Sequence, residues 1–343
     1  MKLRLTLFVA TVSLITAFTP TALADEDPMI TIEGNGWGHG VGMSQYGAYG
    51  RALDGYNAQE ILQFYFPNTE LVASQSVPDD LTIHLFSGEG ATITTSGTVS
   101  LRNSTDEVFK TIENPSILSV SRINSSLSIS LPDGTDACIE VTEIETINHC
   151  LTDPISIDTI EGEPIQTEAV NQFTNIGTSG NSYQWGTLTI RNRNLSGGGI
   201  FVLLEDLPMD KYLYGLAEVP ASWPNAVLEA QAIAGRTYAN TRVNSRRNNS
   251  SWSLPWDLYS TVNDQHYTGF SNESGGSFEN WKLAVDATSQ NVVLYNNNPI
   301  YAYYSSSNGG YMESSAYVFC SASNHPCSET AYLQSAKDSY DHV

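Results

Sequence analysis

Glycine occupies every second position from Gly34 to Gly42 in the stretch GNGWGHGVGMSQYGAYG, residues 34–50. In an extended chain this alternation strips one face of side chains and leaves Asn35, Trp37, His39, Val41 and Met43 on the other. Each glycine weakens regular structure by roughly 0.5–1 kcal/mol relative to alanine, so such a run implies that something approaches the backbone closely.

The rest of the chain has the means to fold around that stretch. It has 343 residues, of which 41% are hydrophobic and 10% aromatic, enough for a large core and against disorder. Its 15 Lys and Arg face 37 Asp and Glu, a net charge of −22 that repels polyanions and argues against a nucleic-acid partner. At the N-terminus, Lys2 and Arg4 precede an apolar stretch from Leu5 to Phe18, and ALA ends at Ala24. This is the pattern of a secretory signal peptide cleaved after Ala24, so a secreted, extracellular or cell-wall-associated protein is expected. No later run is long enough to suggest a membrane span. Cys138, Cys150, Cys320 and Cys327 allow three pairings, of which the two local ones, 138–150 and 320–327, are favoured. The spacing suits neither a C-x-x-C zinc site nor one with interleaved histidines, so no metal is expected.

Three segments follow the signal peptide. Residues 25–71 hold the glycine run and a short helix, with Asn57 as its cap, Glu60 as capping-box partner, an apolar face of Ile61, Leu62, Phe64 and Tyr65, and Pro67 as the stop. Residues 72–182 alternate in short runs such as LTIHLF and SLSISL between Gly, Pro, Asn and Ser clusters, a β-rich region without clustered catalytic groups. Residues 183–343 mix helix and strand, with helices expected at about 209–216 and from Pro224 to about Val243. The expected fold class is α+β.

Between those two helices, Glu218 is the one acidic residue in YLYGLAEVPASWP, among Leu216, Val219, Pro220 and Trp223. Desolvation in such surroundings raises a carboxyl pKa and suits it to general acid catalysis near neutral pH. The competing reading is a structural carboxylate capping the helix that begins at Pro224. Downstream, WDLYSTVNDQHYTG and PIYAYYSSSNGGYMESS supply Tyr, Ser, Asn and Gln beside glycine backbone. These are groups that a carbohydrate groove uses, although an Asn-Gly-Gly turn also serves as a plain hairpin.

Taken together, LPMDKYLYGLAEVPASWPNAVLEAQAIAGRTYA, DLYSTVNDQHYTG, AYYSSSNGGYMESSAYVF and GWGHGVGMSQYGAYG resemble the SpoIID/LytB family, named after stage II sporulation protein D. The resemblance covers about residues 34–50 and 183–343. It implies either a lytic transglycosylase acting on peptidoglycan glycan strands or an enhancer of a cell-wall amidase. It places the family's catalytic glutamate on Glu218 and a supporting arginine on Arg236. Gln265, Tyr267, Tyr304, Ser305, Ser306, Gly309 and Gly310 fall on segments assigned to glycan binding, and His39, Ser44 and Gln45 on the GHGVGMSQ signature beside the groove. On this reading either a sugar chain or a neighbouring loop of the groove lies against the bare glycine face.

The order departs from the family's, because here the signature precedes the catalytic core instead of following it. Some members hold zinc through cysteines, but residues 257–265 contain none, and no cofactor is expected. The chain closes on AKDSYDHV, where relatives continue, which reads as a fragment lacking terminal strands. Asp257 and Asp264, the acids nearest the core, read as turn formers, so no second carboxyl is evident for a two-carboxylate hydrolase. Dinucleotide and phosphate loops, a G-x-S-x-G elbow and H-E-x-x-H are all absent from the sequence. An enzyme and a non-catalytic wall-binding module remain the two functional classes.

Overall fold

The helices that carry the site are set by local signals. In the structure, a computed structural model, described residues run from 34 to 341 apart from 75, 96–98, 103–106, 113–115, 124–125, 131–154, 160–172, 175–179, 194–197 and 322–325. The expected signal peptide and the Cys138–Cys150 pair lie outside them. Helix α1 (Gln45–Leu53) starts at Ser44, whose Oγ accepts from Gly47 N at 3.1 Å. Helix α2 (Ala58–Tyr65) has the expected capping box: Asn57 Oδ1 accepts from Glu60 N at 3.0 Å, and Glu60 Oε2 accepts from Asn57 N at 2.9 Å. Helices α3 (Met209–Tyr214) and α4 (Asn225–Arg247) fall where the sequence places them, α4 running a turn further than expected.

Among the described residues the β content forms five sheets: two larger ones, one of three strands and two of two strands. In the first, Asp80–Gly88 pairs with Ile200–Pro208, which continues through Thr187–Asn192, Ile155–Thr159 and Val99–Arg102 to Val108–Ile112; Leu258–Tyr259 adds a parallel strand at the other edge. The second joins Ser182–Tyr183, Phe173–Thr174, Gly90–Thr95, Ser116–Ile123 and Ser126–Ser130. In the third, Asn291–Tyr295 lies between Asn298–Pro299 and Glu70–Ala73. The fold is mixed α+β, as expected. Strands from the 72–182 segment pair directly with strands beyond residue 183, and residues Asn35–Val343 form one unit.

Helix α4 is the hub. Leu228, Ala232, Ala239 and Val243 pack into the core beneath the first sheet, while Val227, Ala230, Ile233 and Ala234 pack into a second core with α1, α2 and the 300–312 segment. Small residues all round let both cores close on one helix, which is how a helix comes to be buried on both sides.

The glycine run is not an extended strand. Gly36, Gly38, Gly40 and Gly42 have φ of 107°, 108°, 69° and 74°, values that other residues rarely adopt, so the chain zigzags instead of pleating. Only Met43–Ser44 is strand, paired in parallel with Tyr304–Ser305. A Cβ on Gly36 would sit 3.0 Å from Ser307 O, one on Gly38 2.7 Å from Ser305 Cβ, and one on Gly42 would overlap Tyr303 O. The close neighbour is therefore the 303–309 segment. A buried carboxylate holds the two together, Asp341 accepting from Ser44 Oγ at 2.6 Å and Ser307 Oγ at 2.8 Å, while a second, Asp338, ties α2 to the same segment by accepting from Tyr65 Oη at 2.6 Å and Asn308 Nδ2 at 3.0 Å.

Candidate active site

Glu218 is fixed by the turn that follows α3. Ala217 N donates to His266 O at 2.9 Å, Thr268 N to Gly215 O at 2.8 Å, and Asn272 Nδ2 to the carbonyls of Tyr214 and Leu216, so residues 215–218 run alongside 266–268. In this register the His266 backbone N–H donates to Glu218 Oε1 at 2.7 Å. The Tyr304 hydroxyl donates to the same oxygen at 3.1 Å. Both bonds fall on Oε1, and Oε2 has no partner among the described residues. Glu218 does not cap α4, whose N-cap, Pro224, receives no side-chain bond.

Behind the carboxyl runs a buried relay. Tyr212 Oη donates to Gln265 Oε1 at 3.1 Å, Gln265 Nε2 donates to Tyr304 Oη at 2.8 Å, and Tyr304 passes its own proton's bond to Glu218. Desolvation pushes the Glu218 pKa above the ordinary carboxylate range, and the bonds from His266 and Tyr304 draw it part of the way back. Burial, with the Glu218 charge adding to it, raises the Tyr304 phenol well above its usual value, so it remains a donor.

Two depressions meet at Glu218. One, of about 560 Å³, is walled by Tyr238, Tyr303, Tyr304, His39 and Phe319, with Gln45, Asn263, Ser305 and Ser306 as neutral polar groups. The other, of about 510 Å³, is lined by Val219–Ser222, Asn272 and residues 275–278. Glu218 and Ala217 line both. An extended ligand lying across the junction would present an internal bond to the carboxyl.

The structure brings Glu218, Tyr304, Ser305, Ser306, His39 and Gln45 to one cavity, bridging the long separation of the glycine run from the core in sequence. Gln265 is 1% exposed and acts behind Tyr304. Tyr267 is buried, its ring near those of Tyr183 and Tyr212. Ser44 caps α1 and is tied to Asp341. Gly309 packs on Asn35, and Gly310 donates to Asn308 Oδ1. Arg236 is 0% exposed and is not brought to the cavity: it donates to Asp210 Oδ1 at 2.9 Å, Thr288 O at 2.8 Å and Val285 O at 3.2 Å, tying α4 to the C-terminus of helix Phe278–Ala287. His39 Nδ1 accepts from Val41 N at 3.0 Å, and its ring meets Tyr303 and Phe319 edge-on. Burial lowers its pKa. Sequence reasoning passed over Trp37, Tyr303, Phe319 and the His266 amide. Tyr303 adjoins Tyr304, whereas Phe319 is brought in only by the fold; it precedes Cys320, whose disulfide with Cys327 is present as expected.

Residues 198–295 match the family described as SpoIID, stage II sporulation protein. The similarity to the SpoIID family is carried by this segment. It is 37% identical over 124 residues to a Bacillus subtilis protein named amidase enhancer, a match spanning 36% of this chain and 14% of that one. It is 31% identical over 152 residues to stage II sporulation protein D of the same organism, spanning 40% of each. An uncharacterised protein of Brachyspira hyodysenteriae is 31% identical over 122 residues, or 34% of this chain and 30% of that one. The chain thus spans well under two thirds of each of these relatives. No solved structure matches it.

Proposed function

We propose that this protein is a secreted peptidoglycan lytic transglycosylase that uses Glu218 as its only acid and base. The observation that carries the reading is the Glu218 carboxyl itself, with its pKa raised, Oε1 anchored by two donors, Oε2 without a partner among the described residues, and a depression on each side. Protonated on Oε2, Glu218 donates to the glycosidic oxygen between N-acetylmuramic acid and N-acetylglucosamine. The carboxylate then takes the proton of the muramic C6 hydroxyl as that oxygen attacks its own anomeric carbon, leaving a 1,6-anhydro end. Hydrolysis would ordinarily need a second carboxyl about 5–10 Å away. Asp264, the other carboxyl lining the larger depression, already accepts from Arg242 Nε at 3.1 Å, Arg246 Nη1 at 2.6 Å and Tyr259 N at 2.8 Å. It is committed as a structural anion.

Mass spectrometry of purified glycan strands after incubation tests the reading. Wild type is expected to release 1,6-anhydro-muramic products, and Glu218→Gln, which keeps Oε1 as an acceptor, to fall by about 10²–10⁴-fold while still binding. Reducing-end products would make the enzyme a hydrolase. The relative named amidase enhancer supports a second reading, a non-catalytic wall module that stimulates a cell-wall amidase. Binding without release, with an added amidase accelerated equally by wild type and Glu218→Gln, would establish it.

A further inference from the structure

Trp37 is the large apolar side chain that the glycine run leaves exposed. Its backbone is held in an antiparallel bridge, with Trp37 N donating to Ser307 O at 2.8 Å and Ser307 N to Trp37 O at 3.1 Å, so its position is tied to the segment carrying Tyr304. Gly36 and Gly38, on either side, supply the positive-φ turns and the room that let this peptide lie flat on residues 305–309. The indole nevertheless stays 78% exposed while lining the cavity that holds Glu218. Two other exposed apolar side chains line the same cavity, Phe319 at 46% and Val262 at 86%. Leaving three apolar groups open at one mouth has a cost unless a ligand covers them.

We infer that Trp37 is a specificity-determining stacking platform for a neutral N-acetylglucosaminyl ring of the glycan, on the Tyr303 side of Glu218. This rests on the glycan reading above and extends it. A pyranose presents C–H faces that an indole covers, while its hydroxyls and acetamide need neutral partners. Ser305, whose buried Oγ has no partner among the described residues, Ser306, Asn263 and Gln45 line the same space. The charge pattern selects between the two sugars of the polymer. Among the described residues the cavity is lined by no lysine or arginine that could pair an anion. A muramic ring stripped of its peptide carries a lactyl carboxylate, which such a lining disfavours, whereas N-acetylglucosamine carries no charge.

The test is calorimetric titration of wild type, Trp37→Ala and Trp37→Phe with the N-acetylglucosamine tetramer, together with initial rates on peptide-free glycan strands. Trp37→Ala is expected to weaken tetramer binding about tenfold and to raise KM on strands similarly, with kcat and Tm unchanged, and Trp37→Phe to restore most of the affinity. Equal affinity in Trp37→Ala, no tetramer binding by wild type, or a fall in Tm showing that the indole packs within the fold would each overturn the platform. The glycan reading is judged separately: it survives if wild type still cleaves the strands and falls if wild type neither binds nor cleaves them.

Discussion

Replacing Tyr304 with phenylalanine removes one oxygen from the centre of the relay. Gln265 Nε2 loses its 2.8 Å acceptor and is left with Gly235 O at 3.4 Å, and Glu218 Oε1 keeps only the His266 amide. A buried donor deprived of its partner costs about 1–3 kcal/mol, and at roughly 2 °C per kcal/mol for a chain of this size Tm should fall by about 2–6 °C. The effect on catalysis has a definite sign. The Tyr304 bond favours the charged carboxylate and so lowers a pKa that desolvation has raised; its loss raises that pKa further. An acid that must be protonated to donate then keeps its proton to higher pH. The alkaline limb of the pH–rate profile for release of 1,6-anhydro products should therefore move up in Tyr304→Phe relative to wild type. If the folded variant's limb is unmoved or moves to lower pH, Tyr304 does not act on Glu218 as argued.

Two further substitutions separate structure from chemistry. His39→Ala should lower stability by about 1–3 kcal/mol, because the buried Val41 N–H loses its acceptor, and should also weaken glycan binding through the cavity wall; thermal melts and titrations on the same sample check both, and unchanged Tm would refute the structural half. Arg236→Met should cost roughly 3 kcal/mol, the low end for breaking a buried pair, since Asp210 is 32% exposed. Its folded fraction should retain kcat and KM, and lost turnover at unchanged Tm would restore Arg236 to the catalytic apparatus.

How far the sequence reaches depends on whether the signal is local. The α2 capping box is written in four consecutive residues, Asn57 to Glu60, and α3 and α4 in the spacing of apolar and small residues, so all three are legible. Helix α1 is not, because Gly47 and Gly50 lower its propensity. A Cβ at Gly50 would sit 2.7 Å from Tyr340 O, so these glycines serve contacts made from the far end of the chain. The glycine alternation misleads for a related reason. Period two suggests a pleated strand, but a strand needs negative φ, and glycine is also the residue that accepts positive φ. Only the partner segment decides which use is made of it.

The same division runs through the site. Glu218 stands out as a lone carboxyl among apolar neighbours, and the desolvation that this composition implies is what raises its pKa in the fold. Arg236 stands out equally, yet its surroundings are the carbonyls at 285 and 288 and Asp210, which no spacing within α4 reveals. The sequence is equally silent on which Glu218 oxygen is anchored. That depends on residues 215–218 running beside 266–268, so that one backbone N–H and one phenol converge on Oε1. A fixed Oε1 orients Oε2, and one oriented oxygen can serve first as proton donor and then as acceptor without the side chain turning. The backbone pairing between the two segments is thus as much a part of the proposed acid–base device as the carboxyl itself.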